Sequence, residues 1–288
     1  MSISPKISTL SELGKIKIAV PIAISCFTGY LLYAPEFSLD MAYVVFGIFL
    51  IVAGASALNH IQEHKKDALM NRTRFRPIPS GKISISEAVK WSVFFLLSGC
   101  GLLALGGTTE SLWLAIFSIF WYNLVYTPLK QISAFAVVPG ALSGAFPPMI
   151  GYVAAGGNFL DWPILALSFF FFIGQIPHFW LLLLLYGEDY KKGGFKVLTD
   201  VFSVKQIHNI TLIWMLATIM VALLLPIFDV LSSQVLIWSL LAMSLFIIPN
   251  SFILLKNYDR ITVRKLFLRL NLYFLMIMIL ISIDKLYF

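Results

Sequence analysis

Long apolar runs alternate with short polar segments along the whole chain. The runs fall at Ile18 to Tyr33, Met41 to Leu58, Ala88 to Leu105, Ser111 to Tyr126, Phe135 to Ala155, Pro163 to Tyr186, Ile207 to Phe228, Val235 to Leu255 and Leu268 to Ile283. A stretch of about 20 apolar residues crosses the roughly 30 Å of hydrocarbon in a bilayer. Hydrocarbon tolerates only backbone whose hydrogen bonds close internally, and the alternating pattern of barrel strands is missing. The pattern therefore predicts an all-α integral membrane protein with nine transmembrane helices. The first run follows a polar segment and lacks a small-residue cleavage pattern, so it reads as a retained helix.

Composition agrees: 59% of the 288 residues are hydrophobic, 12% are charged, and mean hydropathy is +0.89, too apolar for a soluble domain. A net charge of +7 would suggest nucleic acid in a soluble protein. Here its placement argues otherwise. Lys6, Lys15 and Lys17 precede the first run, and six basic residues from Lys65 to Lys82 follow the second. Lys130 follows the fourth, Lys191, Lys192, Lys196 and Lys205 the sixth, and Lys256, Arg260, Arg264, Lys265 and Arg269 the eighth. The alternate loops, "APEFSLD", "GGTTE", "GGNFLD" and "DVLSSQ", carry no Lys or Arg. By the positive-inside rule the N-terminus and the basic loops are cytoplasmic and the C-terminus, with Lys285, is outside. Removing one helix would invert everything after it, so the charges support the count of nine. The partner implied is the lipid bilayer, with no nucleic acid. Cys26 and Cys100 both fall inside spans, as packing residues and not a disulfide framework. No linker interrupts the pattern, which predicts a single membrane domain over residues 1–288. The two longest cytoplasmic loops each open with acids and continue with lysines, a hint of two related halves with a site where the loops meet.

The segment "NHIQEHKKDALMNRTRFRP", residues 59–77, concentrates charge directly after an apolar run. Asn59, Glu63 and Asp67 are spaced i, i+4, i+8, which puts them on one stripe of a helix. Two carboxylates and an amide at a membrane boundary suit Mg²⁺ when phosphate oxygens and waters complete the shell. Arg72, Arg74 and Arg76 then supply cations for phosphate oxygens. The alternative is an ordinary helix end with charged anchors snorkelling to the interface. After the sixth run, "GEDYKKGGFKV" sets Glu188 and Asp189 beside Lys191 and Lys192, with Gly193 and Gly194 allowing an unusual backbone path. That segment reads as a second metal and phosphate station or as a solvated loop. Within the sixth run, "GQIPHFW" places Gln175 and His178 in apolar surroundings. Polar groups at such depth often mark function, and a neutral imidazole could bind haem iron or hydrogen-bond a propionate or quinone-like oxygen, or simply pack. His60 and His64 do not match a zinc protease spacing with Glu63 and are assigned no metal; His208 reads as interfacial. "WYNLVYTPLKQ" presents Asn123, Tyr126 and Lys130 toward the cytoplasmic end of the fourth helix. An aromatic content of 15% can line an apolar cavity and stabilise a carbocation, or form core and interfacial belts.

Taken together, "NHIQEHKKDALMNRTRFRPIPSGKIS", "YTPLKQISAFAVVPGALSGAFPPMIGYVAA" and "QIPHFWLLLLLYGEDYKKGGFKVL" resemble the UbiA superfamily of intramembrane prenyltransferases, and within it the branch that farnesylates haem. The resemblance implies nine helices around a central cavity, with two acid-rich motifs on the cytoplasmic side binding a prenyl diphosphate through Mg²⁺. By position, Asn59, Glu63 and Asp67 match the first motif, Arg72 and Arg76 its basic tail, and Lys130 the diphosphate-facing lysine; Asp189 with Lys192 matches the second. In place of the second motif's two helically spaced acids stands the Glu188-Asp189 pair, and the usual Lys-Pro-Arg before the first helix reads "KIKIAVP". The implied reaction ionises farnesyl diphosphate in a dry aromatic cavity, where a haem b vinyl group attacks the allylic cation and water adds afterwards. His178, with Gln175, would orient the haem. The family context implies the cell inner membrane and delivery of product to haem A synthase or terminal oxidase assembly proteins. Other acceptors, an aromatic quinone precursor or a chlorin, remain open, as does an anion transporter, although mid-membrane ionisable residues are few.

Overall fold

Serine, threonine or aspartate caps the start of five of the helices. Ser38, Ser84, Thr108, Ser203 and Asp259 each accept a first-turn backbone N–H, from Met41, Glu87, Ser111, Gln206 and Thr262 respectively, at 2.9–3.3 Å. Each such cap contributes about 1 kcal/mol. The computed structural model describes residues 5–255 and 259–288, so Lys256, counted above among the basic residues, lies outside it. After a short helix α1 (Pro5–Leu13) come α2 (Ile16–Tyr33), α3 (Leu39–Asp67), α4 (Ile85–Gly106), α5 (Thr109–Phe120) and α6 (Thr127–Ile132). Then follow α7 (Val137–Ala154), α8 (Trp162–Lys192), α9 (Val204–Leu224), α10 (Gln234–Ser251) and α11 (Arg260–Tyr287). With α5 and α6 forming one interrupted span, nine segments among the described residues are long and apolar enough to cross a membrane. The protein is an all-helical integral membrane protein, as the pattern predicts.

Three helices overrun the apolar runs that announce them. α3 continues from Leu58 to Asp67, α8 from Tyr186 to Lys192, and α11 begins at Arg260, ahead of Leu268. Hydropathy registers only the part in hydrocarbon, whereas the helical hydrogen-bond ladder continues past that boundary wherever neighbouring chain supports it. Consequently Glu188 and Asp189 lie on the last turn of a helix and not in a loop. Gly193 keeps a right-handed conformation at its end, and Gly194, at φ 71°, makes the turn that follows.

The break in the fourth span also has a local cause. Pro128 has no N–H to return to the carbonyl four residues back, and the Thr127 N–H reaches Tyr122 O, five residues back, at the end of a π-helical stretch, Trp121–Tyr126. Such stretches re-aim side chains. Asn123 here donates to the Ala55 carbonyl at 3.0 Å and to Gln62 Oε1 at 3.3 Å, and Gln62 Nε2 donates back to the Asn123 carbonyl at 2.9 Å. The fourth span is thereby locked to α3 beside the acid stripe.

Without a hydrophobic drive between helices in lipid, close backbone approach at small residues holds the bundle. α2 and α7 cross at Gly29 and Gly151: a Cβ on Gly29 would collide with the Pro148 carbonyl, and one on Gly151 with the Cys26 carbonyl. α3 and α4 meet similarly at Gly47 and Gly99. The first crossing fixes where α2 begins, and with it Lys15.

Candidate active site

Asn59, Glu63 and Asp67 lie on one face of α3, and all three are buried. A buried carboxylate without a partner is costly, and each residue of the stripe has a basic partner from a different part of the chain. Lys15 Nζ, just ahead of α2, donates to Asn59 Oδ1 at 3.0 Å. Lys130 Nζ, on α6, lies 2.6 and 2.8 Å from the two Glu63 oxygens. Arg76 Nη1, in the loop after α3, donates to both Asp67 oxygens at 2.8 Å. Asn59 Nδ2 donates in turn to Thr127 Oγ1 at 3.2 Å, whose hydroxyl donates to the Tyr122 carbonyl of the π turn at 2.9 Å. The Thr73 hydroxyl ties the loop back to the Asp67 carbonyl at 2.9 Å.

Lys15 is the residue that sequence reasoning read only as a topogenic charge. Its backbone is left-handed, φ 48°, one of two such non-glycine residues among those described, and strain of this kind persists where surrounding structure imposes it. Burial, then the nearby Arg76 and Lys130 charges, push its ammonium pKa down to about 7, against the pull of Glu63 and Asp67. The available signal was its position at the edge of the first apolar run, in "GKIK", where the resemblance expects a basic motif.

The segment after α3 meets the C-terminal end of α8. Asp189 Oδ1 and Oδ2 accept the backbone N–H groups of Asn71 and Arg72 at 3.2 and 2.9 Å. The Arg72 guanidinium lies 4.7 Å from the Tyr186 ring and donates to the Tyr190 hydroxyl at 3.2 Å. Lys66 sits 4.6 Å over Phe195. Asp189 in this geometry positions the arginine loop. Glu188 and Lys192 are exposed on the last turn of α8, and Arg74 is exposed against Phe75. The structure thus gathers Asn59, Glu63, Asp67, Arg76 and Lys130 in one buried cluster, joins Asp189 to Arg72 at its rim, and leaves Glu188 and Lys192 outside.

Aromatic rings continue from the cluster. Lys130 Nζ is 5.5 Å from the Tyr126 ring, which lies 5.8 Å from Tyr122 and 6.0 Å from Phe179. Phe179 meets His178 edge-on at 5.5 Å, and His178 lies 4.9 Å from Phe267 on α11. The Asn271 side chain hydrogen-bonds the His178 ring, whose Nδ1 has no protein partner. Gln175 packs on Gly144 of α7. A row of aromatic faces therefore joins the acid and cation cluster to the polar group deeper in α8.

The donor set can be tested against a metal. Among the described residues no three His, Cys, Asp or Glu side chains converge tightly enough to cage an ion. Hard oxygen donors in a pair suit Mg²⁺, which keeps waters and takes one or two carboxylates together with substrate phosphates. Glu63 and Asp67, with Asn59, fit an ion that arrives with a diphosphate.

Buried acids faced by cations at one end of a helical bundle with nine spans among the described residues, backed by a row of aromatic rings, give an intramembrane site suited to an anionic group carrying an apolar chain. Comparison with known sequences gives the family. The UbiA prenyltransferase family matches residues 22–275, and the chain belongs to it. The protoheme IX farnesyltransferase of Cytophaga hutchinsonii is 39% identical over 65% of this chain and 66% of its own length. That of Geobacter sulfurreducens is 34% identical over 81% and 86%. Among solved structures, one described as digeranylgeranylglyceryl phosphate synthase superposes with a TM-score of 0.78 at 20% identity, covering 99% of this chain and all of that one. A UbiA homologue from Archaeoglobus fulgidus bound to DMAPP and Mg²⁺ gives 0.67 at 14%, covering 96% and 99%. These two share the fold.

Proposed function

We propose that the protein is a prenyltransferase that moves the farnesyl group of farnesyl diphosphate onto a vinyl group of haem b. The observation that carries this is the capping of all three stripe residues by Lys15, Lys130 and Arg76, read with the protoheme IX farnesyltransferase relatives that span most of the chain. Mg²⁺, when bound by Glu63, Asp67 and Asn59, supplies charge neutralisation to the diphosphate. Lys130 and Arg76 exchange their carboxylate partners for diphosphate oxygens, and Lys15 adds a third cation. Asp189 holds the Arg72 loop over the site. As the C–O bond breaks, the electron pair leaves with the diphosphate, which these cations stabilise. Tyr126 and Phe179 face the allylic cation and keep water from it. The vinyl π electrons form the new C–C bond; water then adds to the resulting cation and loses a proton, leaving a hydroxyethylfarnesyl side chain. His178, braced by Asn271, orients the haem, with Gln175 beside it. The positive-inside charge pattern supports a cytoplasmic N-terminus and site with the C-terminus outside; in this reading the membrane is the cell inner membrane and the product passes to haem A synthase or terminal oxidase assembly.

Incubation in nanodiscs with haem b and farnesyl diphosphate is expected to give a Mg²⁺-dependent hydroxyfarnesyl porphyrin by mass spectrometry. Folded protein that instead prenylates an aromatic quinone precursor or a chlorin would overturn haem as the acceptor. Because every acid already has a cation, metal and diphosphate must displace those pairs together. Mg²⁺ affinity measured by titration calorimetry is therefore expected to rise at least about tenfold when a non-ionising prenyl diphosphate analogue is present, a coupling of about 1.4 kcal/mol. Equal affinity with and without the analogue would contradict the exchange.

A further inference from the structure

His60 has no part in the scheme above, yet it is placed to have one. Its side chain is only 1% exposed, and neither ring nitrogen has a hydrogen-bond partner. Buried polar groups are almost always bonded, and an exception calls for a ligand or a function. His60 precedes Asp67 by seven residues, about two helical turns, so the two share a face of α3, with His60 about 10 Å further along the helix toward the hydrocarbon. It follows Asn59 directly.

We propose that His60 is a further substrate contact, donating a ring N–H to the α-phosphate of the bound prenyl diphosphate; this rests on the reading given under Proposed function. The cations that cap the stripe, Lys15, Lys130 and Arg76, favour an anionic oxygen beside this face of α3. An imidazole ring carries an N–H donor suited to that oxygen. The depth of the residue selects the phosphate nearer the prenyl chain, because the chain extends into hydrocarbon and the terminal phosphate faces Asp67 and the arginine loop. A donor at this oxygen strengthens its bond as negative charge develops on the departing group.

The test uses the full-length protein in nanodiscs, with farnesyl thiolodiphosphate and Mg²⁺ as the calorimetric probe and steady-state kinetics beside it. His60→Phe keeps ring volume without a donor and is expected to weaken analogue binding about tenfold or more. It should also raise KM for farnesyl diphosphate and lower kcat, with KM for haem unchanged. His60→Gln keeps an N–H donor and is expected to recover most of the affinity. A folded His60→Phe protein that binds the analogue as the unmutated protein does would overturn the assignment, as would a loss confined to haem. If Asp67→Asn loses analogue binding while His60→Phe retains it, this inference alone falls. If the unmutated, folded protein binds no analogue, the diphosphate reading falls with it.

Discussion

Replacing Asp67 with asparagine is expected to lower prenyl transfer about 100- to 1000-fold, the scale on which one preorganised electrostatic group acts, while the protein stays folded. The substitution conserves shape and removes the charge. Both Asp67 oxygens accept from Arg76 Nη1 at 2.8 Å, so the amide leaves one of those bonds unmade and Arg76 without its counter-ion. The metal then has only Glu63 and Asn59 on the stripe. Raising Mg²⁺ should not restore the rate, because what is missing is a negative ligand and not occupancy. The fold has a separate anchor here: the Thr73 hydroxyl bonds the Asp67 backbone carbonyl at 2.9 Å, a contact that the side-chain change leaves intact. Turnover measured beside a thermal unfolding curve checks both halves of the expectation. Near-normal turnover would remove Asp67 from the metal station.

The second large effect is structural. Gly151→Val is expected to destabilise the protein by about 3 kcal/mol, the upper range for forced overpacking, and to prevent much of it from accumulating. The added Cβ would collide with the Cys26 carbonyl, a backbone atom that cannot swing aside. α2 would have to move off α7, and the N-terminal end of α2 carries Lys15 away from Asn59. The fraction that does fold should therefore also bind prenyl diphosphate more weakly. Gly101→Ala is the control: nothing lies within 4 Å of a Cβ there, and alanine suits a helix interior better than glycine. Comparing the unfolding midpoints of the two variants in detergent settles the matter; equal midpoints would mean that the α2–α7 crossing yields readily.

How far these effects could be anticipated differs from residue to residue. The spacing of Asn59, Glu63 and Asp67 is a local property, set by 3.6 residues per turn. It needed only that the helix continue past Leu58, and α3 does. Glu188 and Asp189 stand on the same footing, but the glycines after them suggested a loop, and the helix runs to Lys192. His60 matches no zinc spacing, yet its phase with Asp67 follows from the same helical count. Lys15 illustrates the harder case. Its charge reads as topology, and only the packing of α2 on α7 and α3 brings it to Asn59, 44 residues away.

The chain's own pattern determined the membrane class, the nine spans, the likeness to a prenyltransferase family and the acid stripe, because hydropathy, charge placement and helical period act within one segment at a time. Which cation meets which acid was decided by tertiary structure alone. Lys130 reaches Glu63 across 67 residues, and Asp189 takes the Arg72 backbone N–H across 117, separations over which sequence carries no register. The Lys130–Glu63 pair forms because a buried carboxylate in a low-dielectric bundle must find a partner, and the close glycine crossings together with the π turn ahead of Pro128 bring that partner within reach.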